Sequence, residues 1–60
     1  MNQDIINLVK QAVKEELAVN ASNEIAIDEL YNNMHLTGLS IETIDMIVHD
    51  LSDAGEFELI

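Results

Sequence analysis

Apolar residues recur at helical spacing through the first third of the chain: Ile5, Ile6, Leu8, Val9, Ala12, Val13 and Leu17. The pattern predicts an amphipathic helix from Asp4 to Ala18. At ~100° per residue its apolar arc covers about half of the helical wheel, more than one neighbour needs. Either several elements pack around this helix, or part of the arc is a self-association face that makes a homodimer. Glu16 falls inside the arc, so the last turn is expected to be leaving the core.

A turn-prone patch, Asn20, Ser22 and Asn23, ends the helix. Ile25-Ala26-Ile27 is then a short apolar piece that suits a β-strand, and Asp28 is placed to cap a second helix. Leu30, Tyr31 and Met34 give that helix about two turns over Asp28 to Met34. His35 to Gly38 reads as a connection.

The third helix has the clearest limits. Ser40 is a good N-cap, Leu39 and Ile44 stand at the two positions of a hydrophobic staple, and Glu42 suits the positive helix N-terminus. Ile41, Ile44, Ile47, Val48, Leu51 and Ala54 form its apolar stripe, and Gly55 is the expected left-handed terminator. Glu56-Phe57-Glu58-Leu59-Ile60 alternates polar and apolar residues at period two, which predicts a strand at 57–60. The expected fold is mainly α: three helices, a short β piece near 25–27 and a C-terminal strand, as one small domain over 1–60.

Charge changes the picture more than any motif does. Lys10 and Lys14 are the only Lys or Arg residues, and of twelve Asp and Glu residues all but Asp4 follow Lys14. The formal net charge is −10 on 60 residues, with a pI near 4.1. Such a surface repels nucleic acid phosphates and anionic lipid, and attracts basic protein surfaces. Apolar content of 48% and a mean hydropathy of +0.11 are too high for a disordered acidic tail. A domain this small buries only about 60% of its unfolded-chain surface. With no cysteine, its stability must come from apolar packing. Met1-Asn2-Gln3-Asp4 has no basic leader pattern and no apolar run spans a bilayer, so a cytoplasmic protein without membrane contact is expected.

Three segments carry a family likeness: Ile25-Ala26-Ile27-Asp28-Glu29-Leu30-Tyr31, Leu39-Ser40-Ile41-Glu42-Thr43-Ile44-Asp45 and Leu51-Ser52-Asp53-Ala54-Gly55-Glu56-Phe57-Glu58-Leu59. Together they resemble a winged helix-turn-helix domain, whose third helix runs into a wing strand in this way. With its acidity, the chain looks like the winged-helix-like modules of bacterial RNA polymerase: region 1.1 of primary sigma factors and the N-terminal domain of the delta subunit. In the winged family a second wing strand comes after the position of Ile60. The resemblance implies a three-helix winged-helix-like domain that regulates transcription through protein contact. A weaker likeness is to acyl carrier proteins: Ser40-Ile41-Glu42-Thr43-Ile44-Asp45-Met46-Ile47-Val48 is similar to the helix that starts at their phosphopantetheine serine. That would make Ser40 the attachment site, although Leu39 stands where that family has Asp.

On the third helix Glu42, Asp45, His49 and Asp53 share one face. Met46 lies among Glu42, His49, Asp50 and Asp53, away from Ile44 and Leu51. In a DNA-binding winged helix this face would carry Arg, Lys or Asn to base edges; here it would set carboxylates against phosphates. Direct nucleic acid binding through it is therefore not expected. The face is either simply solvated or an acidic patch that docks on a basic protein surface, with Met46 as an apolar anchor in a polar rim. In its sharpest form the patch is a DNA mimic, with carboxylates in the places of phosphates. The candidate partner-binding residues are accordingly Glu42, Asp45, Met46, His49, Asp50 and Asp53.

No cofactor, metal site or catalytic residue is expected. His35 and His49 lack any metal-ligand spacing, and the aspartates do not follow a Ca²⁺-loop pattern. Ser40 with a histidine could be drawn as nucleophile and base, but its place before a helix makes it a cap. The expected function is a small acidic protein-binding regulator or inhibitor, of the kind found among phage products, acting on a nucleic-acid-handling machine. The alternatives are the carrier domain and a structural module that dimerises through the first helix.

Overall fold

A computed structural model describes residues 3–60; Met1 and Asn2, on which the expectation about a leader pattern partly rests, lie outside the described residues. The elements are α1 (Gln3–Asn20), β1 (Glu24–Ile25), α2 (Ile27–Tyr31), a 3-10 turn (Met34–Leu36), α3 (Ile41–Asp53) and β2 (Glu58–Leu59). Three helices and two short strands are thus present in the order that the apolar pattern predicts.

α1 runs two residues beyond its expected end because the turn after it closes on the helix. Ala21 adopts a left-handed φ of 50°, its N–H donates to Ala18 O, and the Ser22 N–H donates to Leu17 O. This is a Schellman termination with alanine where glycine is usual. Val9, Ala12 and Val13 are buried, with Ile5, Ile6 and Leu17 packed at the edge of the same core. α2, the 3-10 turn, α3 and β1 all pack on α1, which accounts for most of its wide arc. Leu8 and Val19 stay exposed.

The second helix departs from expectation. Ile27 opens it rather than closing a strand, and the cap position falls on Ala26, which makes no side-chain capping bond; Asp28 lies in the first turn instead. The helix stops at Tyr31 because Asn33 takes over the local hydrogen bonding. Asn33 is extended, and its Oδ1 accepts from the His35 N–H at 2.9 Å, starting the 3-10 turn. Met34, expected on the second helix, is exposed, whereas Leu36, expected in a connection, is buried.

α3 follows its signals. The Ser40 hydroxyl accepts from the Thr43 N–H at 3.2 Å, the N-cap geometry that satisfies one of the free donors of the first turn. Leu39 packs against the cluster that holds Ile44. At the other end Gly55 has φ +85°, and its N–H reaches Ser52 O. Ile44, Ile47 and Val48 are buried and Leu51 is half-buried, but Ile41 and Ala54 are exposed. The stripe is therefore narrower at both ends than the pattern implies, because the first and last turns overhang the core.

β1 and β2 pair in parallel, Glu24 opposite Glu58 and Ile25 opposite Leu59. The Glu58 N–H donates to Asn23 O and the Ile60 N–H to Ile25 O, each at 2.9 Å. Each strand is shorter than the expected 25–27 and 57–60. Phe57, just ahead of β2, is buried and joins Ile25, Leu30 and Leu36 in one continuous core.

Candidate functional site

The 3.6-residue period that turns Ile44, Ile47 and Val48 inward turns the intervening residues of α3 to solvent. Glu42, Asp50 and Asp53 are exposed, Met46 keeps 49% of its surface accessible, and His49 projects beside them. Helical spacing places Glu42 and Asp50 one turn to either side of Met46. α3 carries no Lys or Arg, so apart from the His49 imidazole no basic side chain on the helix stands beside its carboxylates. All six residues of the expected patch therefore lie on the outward face of one rigid helix.

Asp45 differs from the others. Its Oδ1 accepts from the Tyr31 hydroxyl at 3.2 Å and lies 3.3 Å from His49 Nε2. One carboxylate thus ties α2 to α3 and holds the imidazole one turn along. Partial burial, then the adjacent Asp45 charge and the hydrogen bond to it, push the Tyr31 phenol above its ordinary value of 10.0. Tyr31 therefore remains a neutral donor to Asp45. Its part in the patch could not be read from the sequence, because it lies on another helix.

Beyond His49 the face runs into a shallow polar depression of about 530 Å³, bordered by Asn23, Ser52, Gly55, Phe57, Glu58 and Leu59. Glu58 adds a carboxylate to this end. The period-two pattern predicts that it faces outward from the strand, but only the β1–β2 pairing brings it beside α3.

Ser40 Oγ, the alternative attachment point, is engaged with both the N–H and the hydroxyl of Thr43, the latter at 2.8 Å. His35 lies apart from the α3 face, with Nε2 2.7 Å from Glu15 Oε2 on α1. Among the described residues no three His, Asp or Glu side chains are grouped as a metal ion would need, and no helix is long and apolar enough to cross a membrane.

No family model matches the chain, and no curated protein or solved structure matches it significantly.

Proposed function

We propose that the chain is a small acidic regulator that binds another protein, docking the outward face of α3 on a basic surface in the cytoplasm. One observation carries it: a half-exposed Met46 that shares the outward face of α3 with the exposed Glu42, Asp50 and Asp53, on a helix without Lys or Arg. Desolvating a flexible apolar side chain inside a charged rim is how many interface anchors work. The rim charges add long-range attraction, which speeds encounter with a basic partner. A basic surface of this kind is typically a nucleic acid channel, so the natural target is a nucleic-acid-handling machine. The acidic modules of bacterial RNA polymerase, which the sequence resembles, favour transcription as the setting. The mode is non-enzymatic: the carboxylates occupy ground that phosphates would otherwise take.

The test is binding to bacterial core RNA polymerase, and capture from lysate in parallel, at 50 mM and 1 M salt. Screening shortens from roughly 14 Å to ~3 Å over that range, so affinity should fall steeply. A variant carrying Glu42→Lys, Asp50→Lys and Asp53→Lys should lose binding while keeping its helical circular dichroism. Asp45 is left intact because it holds Tyr31. A folded triple variant that captures the same partner as the parent, with the same salt response, would rule the proposal out.

A further inference from the structure

The two lysines of the chain come together on one groove. Lys10 and Lys14 line a cavity of about 290 Å³ whose apolar walls are Val13 and Leu17 of α1, Leu51 of α3 and Phe57 ahead of β2. Glu56 also borders it. The lysines are one helical turn apart, an arrangement that is repulsive in itself. Their positions three and four residues away on α1 hold Ile6, Asn7, Gln11, Val13, Leu17 and Ala18, so no carboxylate on the helix neutralises them. Among the described residues neither lysine forms an ion pair, in a chain with twelve Asp and Glu. Two unpaired ammonium groups beside an apolar hollow form an amphiphilic site of defined polarity.

We infer that this groove binds a small monoanion with an apolar body, such as a medium-chain or aryl carboxylate. The carboxylate would sit between the Lys10 and Lys14 ammonium groups, and the hydrocarbon would lie against Leu17, Leu51 and Phe57. Charge decides the class of guest. A cationic amphiphile would meet two like charges, and a neutral one would gain nothing from the lysines. A second copy of the chain, or a nucleic acid, would bring a large negative charge against a net −10. A small monoanion carries the complementary charge without that repulsion, and Glu56 disfavours a second anionic group. The volume lies at the lower end of small-molecule sites, roughly 300–1,000 Å³, which limits the guest to one short chain or one aromatic system. The groove shares none of the six candidate partner-binding residues of the α3 face, and only Phe57 also borders the depression beyond His49, so its occupancy can be tested independently of the protein partner.

The experiment is an amide and methyl NMR titration of the full chain with sodium hexanoate, octanoate and decanoate, each below its micelle concentration. Saturable shifts should centre on Val13, Leu17, Leu51 and Phe57. Affinity should rise roughly fourfold per added methylene until the groove is full, the ratio that burying one methylene supplies. Octanol and octylammonium should bind more weakly than octanoate. Replacing both lysines (Lys10→Gln with Lys14→Gln) should weaken octanoate about fivefold and leave octanol unchanged, as expected for two solvent-screened ion pairs. Octanol binding as tightly as octanoate, shifts spread away from the groove, or an unsaturated response in all three acids would each overturn the inference.

Discussion

The Asn33 side-chain amide lies 3.2 Å from the Glu16 carboxylate and donates to it across the gap between the 3-10 turn and α1. The same nitrogen is 3.5 Å from Glu15, while the Asn33 oxygen receives the His35 N–H. Asn33 is the one buried polar residue of the described core, and both ends of its amide are used. It also explains why Glu16 can sit within the apolar arc of α1: the carboxylate meets a donor there rather than hydrocarbon.

Replacing that donor with an acceptor should be costly. Asn33→Asp keeps the shape and the cap on His35 but sets a third carboxylate against Glu15 and Glu16. Urea unfolding at neutral pH should show a loss of about 2 kcal/mol, the cost of a buried partner removed. The new carboxyl is easier to protonate in the folded state than in the unfolded chain, so the deficit should shrink as pH falls through the carboxylate range. An Asn33→Asp protein as stable as the parent at pH 7 would show that the bond to Glu16 contributes nothing.

Ala21 and Gly55 make a matched pair of helix terminators, and they should respond in opposite directions. Both have positive φ, 50° and 85°, but only Gly55 is free of the Cβ penalty. Ala21→Gly relieves about 1–2 kcal/mol of left-handed strain and gives back about 0.4–1 kcal/mol through the freer unfolded chain. A net gain of about 0.5–1 kcal/mol in thermal or urea unfolding should result. Gly55→Ala should lose about 1 kcal/mol by the same reasoning, since no neighbouring atom blocks the added Cβ and strain alone acts.

Tyr31→Phe should separate the α2–α3 tie from simple packing. Because the phenol is held above its ordinary value, its contribution is complete below pH 10 and is lost as pH rises through the raised folded-state value. The parent should therefore be more stable than Tyr31→Phe at pH 8, and the difference should close in strongly alkaline buffer. Lysine titration is common to both proteins and cancels in the comparison. A difference unchanged between pH 8 and strongly alkaline conditions would mean that Asp45 does not hold the neutral phenol.

How far the sequence discloses this molecule depends on whether a signal is local. α3 is legible at both ends because Ser40 and Gly55 act on their own helix, and its outward face comes from the same period. α2 is not, because what stops it is Asn33, whose partners Glu15 and Glu16 are remote in sequence and whose type suits any turn. Leu36 looks like one apolar residue in a connection until the 3-10 turn points it into the core. The Lys10–Lys14 pair is visible in the sequence, but its groove is not, since Leu51 and Phe57 arrive only through the packing of α3 and β2. The strands, too, are legible one at a time but not as a parallel pair, which no pattern within five residues encodes.

That parallel pairing has a consequence for how the chain folds. β1 and β2 enclose α2, the 3-10 turn and α3 between them, so the sheet is a clasp on a long loop rather than a hairpin. Loop closure grows costly only slowly with length, but it must be met before the few backbone bonds of such short strands can form. The helices are built on local contacts, so the clasp is expected to be the last part to shut and the first to reopen. Phe57, next to β2 in the chain, would enter the core as it shuts. One wall of the Lys10–Lys14 groove is therefore expected to be assembled at the end of folding, and opening of the β1–β2 pair would remove it.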